Sequence, residues 1–109
     1  MKSYSIKWIL QRITAIFLIP LVFWFIYHCI SFQNLSYAEI VFFFSSYLNS
    51  FLFLFLMISM LLHAKIGCES IVIDYFSSNK LKIFSIRIVK LVSYLAIIIS
   101  IISVFSIVF

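Results

Sequence analysis

The sequence predicts an all-α membrane protein with three transmembrane helices and a short interfacial segment before the second span. Three observations carry that prediction. Of the 109 residues, 66% are hydrophobic and only 10% are charged, where a soluble domain is about half apolar and about a quarter charged. The mean hydropathy is +1.27. The apolar residues form runs long enough for helices of about 20 residues, the length that crosses a hydrocarbon core, and polar breaks separate those runs. The whole chain reads as one transmembrane anchor domain, residues 1–109, with spans at about 13–32, 50–75 and 88–109. No stretch outside the spans is long enough to fold as a catalytic domain of its own.

The first span runs from about Ile13 to Phe32. Lys2, Lys7, Trp8 and Arg12 delay its apolar run, and no small-residue cleavage site follows, so it reads as a retained span and not a signal peptide. Pro20 lies inside it, a position that helices in lipid tolerate and that can kink them. "QNLSYAE", Gln33 to Glu39, is a polar break without Lys or Arg.

From Ile40 the chain stays helix-compatible to Tyr75. As one helix that run would reach about 54 Å, well beyond a core of about 30 Å. "SSYLNS", Ser45 to Ser50, is the natural interruption, giving an interfacial segment from about Ile40 to Leu48 and a second span from about Ser50 to Tyr75. His63 then falls near the middle of the membrane. "FSSNKLK", Phe76 to Lys82, reads as a turn, and Ile88 to Phe109 is the third span. Ser93, Ala96, Ser100 and Ser103 recur in it at helical spacing, as small-residue faces do where helices pack closely in lipid.

The net charge is +5. Lys2, Lys7 and Arg12 precede the first span, and Lys80, Lys82, Arg87 and Lys90 lie between the second and third. Basic residues beside spans mark the cytoplasmic side, which puts the N-terminus in the cytoplasm and the C-terminus outside. The same placement argues against nucleic acid as a partner; the expected surroundings are membrane lipid. Cys29 and Cys68 lie toward opposite faces, so neither a disulfide between them nor a thiolate metal site is expected.

The chain's chemistry concentrates in "HAKIGCESIVIDY", His63 to Tyr75. At about 100° per residue, His63, Gly67, Ser70 and Asp74 share one stripe, continued by Ser59 and Met60. Ionisable groups at membrane depth are costly and are usually paired or functional. A neutral imidazole there suits iron ligation through one ring nitrogen while the other is held by a hydrogen bond, or it can simply donate to a neighbouring helix. Gly67 leaves room for a flat macrocycle or a second backbone. Asp74 and Tyr75, a carboxylate beside a phenol at the interface, can bind and protonate a quinone carbonyl, or Tyr75 can be an ordinary interfacial anchor. Lys65 and Glu69 are four apart and can pair. Arg12 marks topology or neutralises an anionic cofactor group, and His28 lies near the outer end of the first span.

These residues resemble a known family. "HAKIGCESIVIDY" is similar to the H-A-x-x-G-x(6)-D-Y stretch in the second transmembrane helix of the D-type anchor subunits of succinate dehydrogenase (succinate:quinone oxidoreductase). "LQRITAIFL", Leu10 to Leu18, resembles the R-x-T-A-I-x-L entry to that family's first helix. The resemblance covers essentially the whole chain. It implies that His63 is an axial ligand of a haem b shared with a histidine of a C-type cytochrome b anchor subunit. It also implies that Tyr75 lines the ubiquinone site with Asp74 beside it, and that Arg12 lies near the haem propionates or the quinone. The flavoprotein and iron-sulfur subunits would dock on the cytoplasmic side of a bacterial inner membrane and pass electrons from succinate to quinone. The charges of Lys65 and Glu69 are unusual for such a site. The competing expectations are a single-chain haem b module ligated by His28 and His63, a small proton or cation carrier using His63, Glu69 and Asp74, and a purely structural anchor.

Overall fold

The computed structural model describes residues 2–109, with side chains from Ser5 onward, and every element in it is a helix. In order these are α1 (Lys2–Phe32), α2 (Tyr37–Ser45), α3 (Tyr47–Tyr75) and α4 (Asn79–Val108). The described residues contain no strand. Helices α1, α3 and α4 are each long and apolar enough to cross a membrane, and the molecule measures 50 × 24 × 24 Å. The chain is an integral membrane protein by its helices alone.

The basic flanks are helical continuations of the spans rather than loops. Helix α1 begins at Lys2 and runs without interruption through Pro20. Of the expected turn at Phe76 to Lys82, only Phe76–Ser78 is non-helical; Ser78 accepts the Leu81 N–H at 3.4 Å and starts α4 at Asn79. A serine cap of this kind satisfies one of the free N–H groups of the first turn, so the helix nucleates well before the apolar run begins at Ile88.

The break before the second span occurs where the polar residues fall, although the interfacial helix is shifted from the expected Ile40–Leu48 to Tyr37–Ser45. Ser36 caps it by accepting the Glu39 N–H at 3.3 Å. At the other end Ser46 is extended, with φ −71° and ψ 130°. The Phe43 carbonyl accepts there from the Ser46 N–H at 3.4 Å and from Asn49 Nδ2 at 3.1 Å, and the Phe44 carbonyl accepts from the Ser50 hydroxyl. In lipid an interrupted helix needs such partners, because no water is present to take the freed carbonyls.

Helix α3 is the centre: α4 and α1 each pack chiefly on it, and α2 packs on α3 and α4. The burial pattern is inverted relative to a soluble protein. Thr14, Ser50, Ser59, Glu69 and Ser93 are buried, while large apolar side chains such as Ile16, Phe23 and Ile99 face outward. Acyl tails solvate such residues, so small and polar residues share the packing between helices with Leu54, Leu56, Ile66, Val72 and Val104. On α4 the packed face carries buried Ser93 and Val104 with half-buried Ala96 and Ser100, whereas Ser103 is exposed. The expected stripe therefore ends on Val104: at about 100° per residue it lies about 20° from Ser93, and Ser103 about 80° the other way.

Candidate functional site

Helices α1 and α3 run antiparallel, and their contacts share one register. The Phe25 and Phe53 rings meet at 5.5 Å, Thr14 Oγ1 lies 2.9 Å from His63 Nδ1, and Lys7 Nζ lies 3.3 Å from Glu69 Oε2. Between the last two, a Cβ placed on Gly67 would meet Gln11 Nε2 at 3.7 Å. That is an ordinary contact, so among the described residues none requires glycine there.

Toward the ends where α1 begins and α3 finishes, the two helices line an open-sided cavity of about 600 Å³. From α3 its walls are His63, Ile66, Glu69, Ser70, Ile73 and Asp74, and from α1 Lys7, Trp8, Gln11, Arg12 and Ala15. Three residues singled out in the sequence, His63, Asp74 and Arg12, thus meet around one space. The seam is present in the fold for His63, Ser70 and Asp74, and its extension divides: Ser59 is buried and Met60 is exposed.

The half-buried imidazole of His63 has a defined orientation. Thr14 is one turn from Leu10, and its hydroxyl donates its single proton to the Leu10 carbonyl at 2.7 Å, with the Gln11 carbonyl farther off at 3.1 Å. With that proton committed to a helix carbonyl, the oxygen can accept from His63 Nδ1 in the tautomer that carries its proton there. In that tautomer the lone pair is on Nε2, an arrangement in which histidine binds a metal. Arg12 is exposed at the cavity edge, its guanidinium 5.1 Å from the centre of the Trp8 ring. Asp74 is exposed on the α3 side. Tyr75 is 80% exposed and stands outside the cavity.

Two features lie off the seam. Glu69 is a wall residue that its angle on the helix does not indicate, about 120° from His63; it is 1% exposed and pairs with Lys65 at 3.3 Å, as its spacing suggests, and also with Lys7. Knowing that Thr14 faces His63 fixes the antiparallel register, and that register predicts the Lys7 contact. His28 sits among aromatic rings at the other end of α1, 5.0 Å from Trp24 and 4.7 Å from Phe43 between centroids. It is about 21 Å along α1 from Thr14, and hence from His63. One haem iron cannot take both histidines of the chain, which removes the single-chain haem module. Cys29 and Cys68 are free and exposed.

Three bilayer-length helices, with buried polar residues between them and a side cavity lined in part by an imidazole, define a small helical membrane subunit. The chain belongs to the succinate dehydrogenase/fumarate reductase transmembrane subunit family, whose sequence profile matches residues 2–106. It is 38% identical to the succinate dehydrogenase hydrophobic membrane anchor subunit of Rickettsia bellii (strain RML369-C), over 95% of this chain and 83% of the relative. The protein of the same description from Rickettsia prowazekii (strain Madrid E) is 32% identical, with the same coverage of both chains.

Proposed function

We propose that this chain is the hydrophobic membrane anchor of a succinate:quinone oxidoreductase, and that its α1–α3 cavity contributes one axial ligand of a haem b and one edge of a ubiquinone site. Family membership supports the anchor role. The observation that supports the cofactor reading is the Thr14–His63 contact at 2.9 Å, since a proton held on Nδ1 there would leave Nε2 free for iron at the wall of a cavity of about 600 Å³. The residues fit the group. His63 would hold the iron, Arg12 at the cavity edge would face anionic propionates, and the open side would admit the histidine of a companion C-type anchor. When bound, the haem supplies a one-electron centre.

The chain's own residues bind and orient. Thr14 holds the His63 ring, Arg12 supplies fixed positive charge, and Asp74 with Tyr75 offers a carboxylate and a phenol where α3 ends. A quinone bound there would take up two electrons delivered from succinate by the partner subunits and two protons, and the Tyr75 hydroxyl would donate a hydrogen bond to its carbonyl oxygen. Tyr75 is outward-facing in the isolated chain, so the rest of the quinone site belongs to neighbouring subunits. Basic residues at the start of α1 and the start of α4 lie at one end of the bundle, which is the cytoplasmic end by the positive-inside rule. The flavoprotein and iron-sulfur subunits dock at that end of a bacterial inner membrane, and the C-terminus is periplasmic.

The test is isolation of the tagged chain from its native membrane in mild detergent. A flavoprotein, an iron-sulfur protein and a second small hydrophobic chain should co-purify with a six-coordinate b-type haem spectrum. A chain recovered with those subunits and no haem would leave the anchor role and remove the cofactor reading. Recovery alone, with ion flux in vesicles, would remove both.

A further inference from the structure

Neither the anchor role nor the haem reading uses the most deeply buried side chain among the described residues. Glu69 is 1% exposed within a membrane-length helix, where an uncompensated carboxylate is costly. Two ammonium groups compensate it: Lys65 Nζ lies 3.3 Å from Oε1, and Lys7 Nζ lies 3.3 Å from Oε2. Neither oxygen has a well-directed hydrogen bond among the described residues, so the ion pairs are its compensation. Lys65 in turn sits 5.4 Å from the centre of the Tyr94 ring. The cluster thus touches all three long helices, Lys7 from α1, Lys65 and Glu69 from α3, and Tyr94 from α4.

Lys65, one turn away on the same helix, already neutralises Glu69. The pair with Lys7 adds a constraint between helices. Lys7 precedes Thr14 by about 10 Å of α1, and Glu69 follows His63 by about 9 Å of α3. The ion pair and the Thr14–His63 hydrogen bond are therefore two rungs of one antiparallel register. Apolar side chains specify such a register weakly in lipid, since acyl tails solvate them as well as a neighbouring helix does. A slip of one residue rotates α1 by about 100° and breaks both rungs.

We propose that the Lys7–Glu69–Lys65 cluster is a register lock, and that Glu69 is a positioning residue which keeps Thr14 against His63. The lock is a statement about α1 and α3; its consequence for the iron rests on the haem reading above.

The whole complex is produced in membranes, with Cys29→Ser and Cys68→Ser in the chain and the reporter pair Gln11→Cys and Gly67→Cys added. Disulfide formation between the reporter cysteines reads the register. Glu69→Gln and Lys7→Gln should each lower the yield by about tenfold, equivalent to about 1.4 kcal/mol. Their combination should be no worse than the worse single change, and Lys7→Arg should retain the yield. With Gln11 and Gly67 native, the same two variants should lower haem per flavin, again retained by Lys7→Arg. Yields that stay within about twofold of the reporter parent, in which Lys7 and Glu69 are intact, a difference too small for a buried carboxylate that has lost a charge partner, overturn the lock. If Glu69→Gln does not accumulate, Lys7→Gln decides alone, because the Lys7 side chain is 43% exposed and its loss leaves Lys65 on Glu69. A complex that cross-links as described and contains no haem keeps the lock and defeats the haem reading; haem with insensitive cross-linking does the reverse.

Discussion

Thr14→Val isolates the feature on which the cofactor reading rests. Valine keeps the branched shape of a side chain that is 5% exposed and removes the acceptor 2.9 Å from His63 Nδ1. The Leu10 carbonyl loses only an extra donor, since it already belongs to the helix ladder. Nδ1–H is left without a partner in a part-buried site, a cost of about 1–3 kcal/mol, and the ring is free to exchange tautomers and rotate. Partners of metal-bound histidines contribute about 10–100-fold to metal affinity. The expected outcome is a fall of that order in haem retention during detergent washing of the purified complex, measured as haem per flavin. Thr14→Ser, which keeps the hydroxyl, should remain close to the parent. Full haem retention and an unchanged spectrum in Thr14→Val, with subunit content equal to the parent, would refute the reasoning.

Asn49→Ala removes the side-chain donor to the Phe43 carbonyl at the α2–α3 break, which keeps the Ser46 N–H at 3.4 Å, and should destabilise the chain by about 1 kcal/mol, read as a shift of its unfolding midpoint in detergent. Ser93→Leu places a large side chain on the buried face of α4; overpacking of about 1–3 kcal/mol should appear in the same assay, while Ser103→Leu on the exposed side leaves the midpoint unmoved. Tyr75→Phe should raise KM for ubiquinone severalfold, about the effect of one lost hydrogen bond of about 1 kcal/mol, with an unaltered haem spectrum.

Sequence periodicity located the polar seam because His63, Ser70 and Asp74 recur at intervals that a helix turns into one face. It located the helix break because "SSYLNS" supplies side chains that can replace lost backbone partners. It misplaced the end of the α4 stripe by following small residues to Ser103, where the helical angle selects Val104 instead. It read the basic flanks as boundaries of spans; they are boundaries of the apolar run only, since α1 already begins at Lys2 and the Ser78 cap starts α4 at Asn79. Glu69 escaped the pattern for a different reason. Its burial depends on Lys7, which is distant in sequence and becomes its neighbour only once α1 and α3 are paired antiparallel. Tyr75, conversely, follows Asp74 in sequence yet faces away from the cavity, as adjacent helical residues about 100° apart do.

The central claim is that His63 binds iron through Nε2 while Thr14 holds Nδ1. A high-resolution density map of the complex assembled in its native membrane tests it most directly. The account predicts iron bonded to His63 Nε2, a second histidine from another subunit on the opposite face of the macrocycle, and the Thr14 hydroxyl against Nδ1. An imidazole turned toward acyl chains, with no metal in bonding reach, would contradict it.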